Sequence, residues 1–243
     1  MIALLKKEIT QYFGSLTGYI VIFVFLLING LFLWILPTEF NIIDSGYAYL
    51  DNLFMLSPWL LLFIVPAITM RTFSEEKKNG TLEIILTKPI SELQLALSKF
   101  FANLIIVSLA ISPTIIYYIT IYNISYPIGN VDSAGIFGSY IGLFLLGAAF
   151  VSLGIFSSSI TDNQVVAFII SITLCLFAYI GFEYIYSFNI FGKYDLIIKN
   201  IGISTHYSSL SRGVIDIRDI IYFLSLISIF ILLTKTSLES RKW

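Results

Sequence analysis

Apolar residues run along this chain in six long blocks, at about 18–36, 53–70, 100–122, 136–158, 165–186 and 220–236. Each approaches or exceeds the ~20 residues that a helix rising 1.5 Å per residue needs to cross ~30 Å of hydrocarbon. The blocks are continuous rather than alternating, which predicts helices and disfavours a β-barrel. Pro58 and Pro66 predict a kink or a shifted boundary in the second block, and Pro113 predicts a kink in the third. Ahead of the first block, Ile2, Leu5, Ile9, Tyr12, Phe13 and Leu16 recur at helical spacing, while Lys6, Lys7, Glu8, Thr10 and Gln11 take the other side. That pattern fits an amphipathic helix over 1–16 lying in the membrane interface with its lysines towards anionic headgroups, rather than a frayed terminus.

Composition agrees. Of 243 residues, 58% are hydrophobic and 12% charged, with mean hydropathy +0.91, where a soluble domain is about one quarter charged. The expected class is therefore an all-α polytopic membrane protein forming a single transmembrane domain. A net charge of −1 argues against a nucleic-acid partner. Cys175 is the sole cysteine, so no disulfide forms within the chain, and His206 is the sole histidine, which argues against a multi-His metal site or a catalytic triad. No phosphate-binding GxxxxGK[ST] loop and no HExxH, GxSxG or CxxC motif occurs. No cleavable signal peptide is expected, because the apolar stretch after Lys6 and Lys7 is long and lacks a small-x-small site.

Cations set the orientation. With the N-terminus in the cytoplasm, Lys6, Lys7, Arg71, Lys77, Lys78, Lys88, Lys99, Lys235, Arg241 and Lys242 fall on the cytoplasmic side. Only Lys193, Lys199, Arg212 and Arg218 fall outside, all in the loop 188–218, so both termini are expected to be cytoplasmic. That loop has room for one or two short re-entrant or interfacial helices, with Leu196 to Ile198, Tyr207 and Leu210 as apolar anchors. In the fourth block Gly138 and Gly142 form a GxxxG pair, serving packing within the chain or, less expectedly, a dimer seam. Asp162 or Thr161 is placed to cap the fifth block, making a tight hairpin of blocks four and five. Glu183 is the one acid well inside an apolar run; it either reaches the outer interface or acts at a gate or pathway.

The densest charge lies in RTFSEEKKNGTLEIILTK, Arg71 to Lys88, within a segment 71–99 that joins the second and third blocks. Thr72 with Glu75 fits a capping box, Gly80 suits the end of that helix, and Thr81 is placed to cap a second short one with Glu83 near its positive end. Leu82, Ile85 and Leu86 give the second helix an apolar side, Pro89 discourages it from continuing, and Ser91 with Gln94 offers another capping box. From composition alone, a solvated connector and a partner-binding protrusion are equally good readings.

The segment is similar to one in the permease subunits of type-two ABC exporters, of the form R-x-F-x-E-E-[KR]-x-x-G-[ST]-x-E-x-[LI]-[LI]-[ST]-x-P. It matches at Arg71, Phe73, Glu75, Glu76, Lys77, Gly80, Thr81, Glu83, Ile85, Leu86, Thr87 and Pro89. Asn163, Gln164 and Ala167, and the run Arg212 to Asp219, also resemble the family, and more narrowly the gliding-motility-associated permease of Bacteroidetes and its copper-maturation relatives. The resemblance spans the chain. It implies a non-catalytic subunit of a bacterial inner membrane whose segment 71–99 carries the coupling helix. A separate cytoplasmic ATPase would hold ATP and Mg between its two copies, and this chain itself would bind no cofactor. Glu75, Glu76 and Glu83 would pair with cations of that ATPase while Leu82, Ile85 and Leu86 fill a groove on it. A second permease copy or paralogue is implied, and an accessory membrane protein with an extracytoplasmic domain fits beside them. Export and a non-transporting role, in which the ATPase cycle drives a motility or envelope machine, both need the coupling block. An ion-coupled transporter would want several intramembrane charges, which Glu183 alone does not supply.

Overall fold

The computed structural model describes residues 2–87, 89–188, 192 and 195–240. Lys88, Lys193, Arg241 and Lys242, counted above for orientation, lie outside the described residues, as does part of the loop 188–218. Among the described residues all regular structure is helical. Among these residues six helices are long and apolar enough to cross a membrane: span one, Leu16–Ile35; span two, Asp51–Lys78; span three, Glu92–Ile124; span four, Ser133–Ile160; span five, Gln164–Ser187; and span six, Ile217–Glu239. An N-terminal helix, Ile2–Gly14, precedes them.

Span four is the central element. In its most apolar stretch 78% of the residues are buried within the chain, against 17% for span five. Small residues on span four make this possible. A Cβ on Gly142 would come within 2.6 Å of Leu210 Cβ, and one on Gly138 within 2.8 Å of the Gly213 carbonyl oxygen. A Cβ on Gly154 would overlap the Thr69 hydroxyl. The GxxxG pair is thus used for packing within the chain, where backbones approach closely enough to exclude side chains.

Of the three prolines, Pro113 interrupts its span as its position predicts, while Pro58 and Pro66 do not interrupt theirs. Span two runs as one helix, Asp51–Thr69, through Pro58 and Pro66, and is interrupted by a turn at Met70, whose N–H still reaches the Pro66 carbonyl at 2.9 Å. Span three does break at Pro113: a single 3-10 turn, Ser112–Thr114, separates Glu92–Ile111 from Ile115–Ile124. The Thr114 hydroxyl donates to the Ile111 carbonyl at 2.7 Å. Spans one and five each contain one π-helical turn, Leu31–Ile35 and Phe177–Gly181.

Two corrections concern the connections. Asn163, not Asp162 or Thr161, caps span five, accepting from the Val165 N–H at 2.9 Å, and the helix starts directly after it at Gln164. Among the described residues of the loop 188–218 two short helices form, Asp195–Ile201 and Ile203–Leu210. The second is held by Ile203, Tyr207 and Leu210, all buried, with the Tyr207 hydroxyl donating to the Phe54 carbonyl at 2.7 Å. Leu196 and Ile197, expected as anchors, are exposed. His206, a polar residue of this loop, acts as a clamp: its ring nitrogens lie 2.7 Å from an Asp219 carboxylate oxygen and 2.8 Å from the Asn200 carbonyl, and it stacks on Tyr222. Glu183 is exposed on the turn Phe182–Ser187.

If span four is the hub, Gly154→Ala destabilises the fold by roughly 1–3 kcal/mol, the usual cost of overpacking. A thermal melt of the purified protein checks this, and adding Thr69→Ala is expected to recover part of the loss.

Candidate functional site: the charged block and its mounting

Span two does not end where its apolar run ends. Beyond the turn at Met70 it continues as a short helix, Arg71–Lys78, so the first N–H groups of that helix need acceptors from elsewhere. Span four supplies them. The Ser158 hydroxyl oxygen accepts from the N–H groups of Phe73 at 2.9 Å and Ser74 at 3.1 Å, and its own proton goes to the Met70 carbonyl at 3.0 Å. The predicted Thr72–Glu75 capping box is absent, because the helix arrives already wound and Thr72 is not its cap. Lys77 donates to the carbonyl of Ser159, which also accepts from the Ser237 hydroxyl at 3.0 Å, tying the block to spans four and six.

The helix stops at Asn79, and Gly80 takes φ +67°, a left-handed conformation that favours glycine. The chain then turns into a six-residue helix, Thr81–Leu86, with Glu83 in its first turn. Gly80 rather than Thr81 occupies the cap position of this helix; the Thr81 hydroxyl instead reaches back to the Glu76 carbonyl at 3.3 Å. The Ser91–Gln94 capping box forms as expected and starts span three.

The faces of this protruding helix are the reverse of a simple expectation. Leu82 is 3% exposed, and Ile85 and Leu86 pack against the chain's own core. The apolar residue turned outward is Ile84, at 63% exposure, flanked by exposed Thr81, Glu83 and Thr87. Leu82 therefore has no free surface with which to fill a groove on another protein.

Behind the protrusion three helices meet through polar pairs spaced four residues apart: Glu8 and Tyr12 on the N-terminal helix, Thr72 and Glu76 on Arg71–Lys78, Lys99 and Asn103 on span three. Spacing of i and i+4 puts each pair on one helix face. The pairs align into two layers. In the charged layer the Lys99 ammonium, 1% exposed, lies 3.1 Å from Glu8 and 2.9 Å from Glu76, donates to the Thr72 carbonyl at 2.7 Å, and sits 5.0 Å above the Phe73 ring. Lys7 closes the layer at 3.0 Å from Glu76 and 3.5 Å from Glu8. In the uncharged layer the Tyr12 hydroxyl donates to Asn103 Oδ1 at 2.8 Å, and Asn103 Nδ2 donates to the Thr72 hydroxyl at 3.3 Å.

Electrostatics explain why the layer holds. Lys7 and Lys99 offset Glu8 and Glu76, so the cluster is neutral as a set and each buried charge has an opposite neighbour. Burial lowers the Lys7 pKa, but the Glu76 and Glu8 carboxylates more than offset this and hold it above its ordinary value. Burial raises the Tyr12 pKa well above the usual phenol range, so its hydroxyl remains a donor at neutral pH.

The residues proposed from sequence thus divide. Phe73, Glu76, Lys77 and Leu82 face inward and hold the block in place; Gly80 shapes the turn; Thr81, Glu83 and Arg71 are exposed and Glu75 partly so; Gly138, Gly142 and Glu183 lie on other elements. Glu76 cannot serve a partner while Lys7 and Lys99 hold it. Lys7 likewise turns to carboxylates of this chain, and Glu8, assigned to a polar face, is buried. Sequence reading missed Glu8, Lys99, Asn103, Ser158 and Ile84. The i, i+4 polar pairs within apolar surroundings were the available signal for the first three.

A family model described as "ABC-2 family transporter protein" matches residues 2–242. The chain belongs to that family, which makes it a membrane-embedded ABC transporter permease and implies a partner ATPase. No curated protein matches it.

Lys99→Met removes the cation from between two buried carboxylates and is expected to cost ~3–5 kcal/mol, the range for breaking a buried pair. Lys7→Met, with the Lys7 side chain 48% exposed, is expected to cost less than ~1 kcal/mol. Thermal melts of the two purified variants give the comparison; equal shifts would contradict the layer described.

Proposed function

We infer that the protruding helix Thr81–Leu86 is the element a separate cytoplasmic ATPase grips, and that this chain turns the ATPase's movement into work across a bacterial inner membrane. The observation that carries this reading is Ile84: an exposed isoleucine beside an exposed carboxylate, Glu83, on a helix whose other face is fixed to the protein. An apolar anchor ringed by polar groups is the usual composition of an interface centre. The excess of cations at this end supports its cytoplasmic placement.

Force applied at Ile84 has a continuous path inward. It passes through the Gly80 turn to Arg71–Lys78, from Glu76 to Lys99 on span three and through Lys99 to Glu8, and from Phe73 and Ser74 to Ser158 on span four. In this reading ATP and Mg belong to the partner, and a second permease copy or a paralogue completes the transmembrane path. The spans hold few charges, which favours lipidic or amphipathic cargo, or a protein, over ions or sugars. Work on an envelope or gliding machine without transport uses the same coupling, and an accessory membrane protein would then be the recipient.

The test is co-purification with the products of neighbouring genes. The double change Glu83→Lys, Ile84→Asp is expected to weaken ATPase association about 30-fold, the loss of a single ~2 kcal/mol anchor, while leaving the melting temperature unchanged. Undiminished association would sink the assignment. Glu76→Lys, by contrast, is expected to lower the melting temperature first. Nucleotide-dependent movement of cargo into vesicles by the unmutated complex separates export from a non-transporting role.

A further inference from the structure

Between the N-terminal helix, the start of span one and the helix Arg71–Lys78 lies a polar cleft of about 130 Å³. That is below the ~300–1,000 Å³ of whole small-molecule sites, so the cleft takes a headgroup rather than a whole molecule. Glu8, Glu76 and Lys99 line it, and their charges are already matched within the chain. Arg71 and Glu75 line it too, and theirs are not. These two stand one helical turn apart, a spacing at which opposite charges pair, as Lys235 and Glu239 do at 3.4 Å. Yet among the described residues no hydrogen bond or ion pair engages either side chain. Arg71 is exposed and Glu75 partly so, which leaves both open to a ligand. Once the internal pairs are set aside, the cleft offers one guanidinium and one carboxylate.

We propose that this cleft binds the zwitterionic headgroup of phosphatidylethanolamine, with its phosphate on Arg71 and its ammonium on Glu75. A guanidinium meets a phosphate through two parallel N–H donors, and a primary ammonium brings three donors to a carboxylate. A phosphate without an ammonium would leave Glu75 facing like charge. Depth makes a lipid the source. Ser15 directly precedes span one, and Arg71 directly follows the turn that ends the apolar run of span two, so the cleft lies where both spans enter the headgroup layer. Tyr12, Thr17 and Arg71 also line a second, apolar notch of about 20 Å³. Gly18, Val21, Ala67 and Ile68 close that notch, further along spans one and two towards the hydrocarbon, and it takes the start of an acyl chain. A headgroup in the cleft touches the N-terminal helix and Arg71–Lys78 together, bracing the charged layer from outside. Neither Glu83 nor Ile84 lines the cleft, so the inference does not depend on ATPase docking.

Native mass spectrometry of the full chain in detergent tests it, with phosphatidylethanolamine, phosphatidylcholine and phosphatidylglycerol of identical acyl chains supplied in competition. The wild type is expected to retain one phosphatidylethanolamine and to prefer it about ten-fold over either competitor, the effect of one charge-assisted hydrogen bond. Choline methyls remove the ammonium donors, and the glycerol headgroup carries no cation. Glu75→Gln is expected to cut the preference over phosphatidylcholine to about two-fold or less, because a neutral acceptor replaces the charged one. Arg71→Gln is expected to weaken retention of all three lipids about ten-fold. Both variants keep the wild-type melting temperature, since neither side chain has a partner to lose. The proposal is overturned if the wild type retains no lipid, retains the three alike, or retains phosphatidylglycerol foremost. It is equally overturned if Glu75→Gln keeps the full preference or Arg71→Gln the full retention. Displacement of the lipid by soluble glycerophosphoethanolamine at equal concentration would place the ligand in solution and overturn the lipid assignment. Should Arg71→Gln fail to fold, the lipid ratio of the wild type against Glu75→Gln still decides.

Discussion

An ammonium group withdrawn from water must find opposite charge, and Lys99 finds it in two carboxylates on two different helices. Leaving any of these charges buried and unpaired costs several kcal/mol, so the N-terminal helix, the helix Arg71–Lys78 and span three stay together or come apart at considerable cost. The Tyr12–Asn103–Thr72 hydrogen bonds one turn away repeat the connection in uncharged form. A short helix that projects from this assembly cannot be a slack loop. Its attachment is stiff, and that stiffness is what a coupling element requires.

Span four carries the connection onward. Its glycines admit the backbone and side chains of neighbouring elements so closely that Gly138, Gly142 and Gly154 touch Gly213, Leu210 and Thr69. One end of the helix caps Arg71–Lys78 through Ser158, and near the other Ser139 donates to the Ser211 carbonyl at 2.8 Å. Both ends of the bundle are therefore fastened to the same central helix. Under the proposed function, displacement of the charged block is felt at the opposite end, where Ile203–Leu210 lies.

Much of this architecture was legible in the sequence. Continuous apolar runs located six spans, Pro113 located the break in span three, and Gly80 located the turn before the protrusion. The motif around Glu75, Glu76 and Gly80 resembled the family to which the chain belongs. What stayed hidden depended on distant partners. Glu8 and Lys99 are 91 residues apart, and local periodicity reads each as a solvated charge because it cannot see the other. Thr72 and Glu75 look like a helix start only if span two is assumed to stop with its apolar run. Over the six residues TLEIIL, mostly apolar, the helical period cannot decide whether Leu82 or Ile84 faces outward; packing against the rest of the chain decides it.

Under the proposed function, Ile84 is the point of contact with a nucleotide-binding subunit. A photo-crosslinking amino acid placed at Ile84, in membranes containing the products of the neighbouring genes, tests this most directly. The predicted result is a covalent adduct between this chain and an ATP-binding protein, lost when the crosslinker is moved to buried Leu82. Adducts only with lipid or with a second copy of this chain would contradict it.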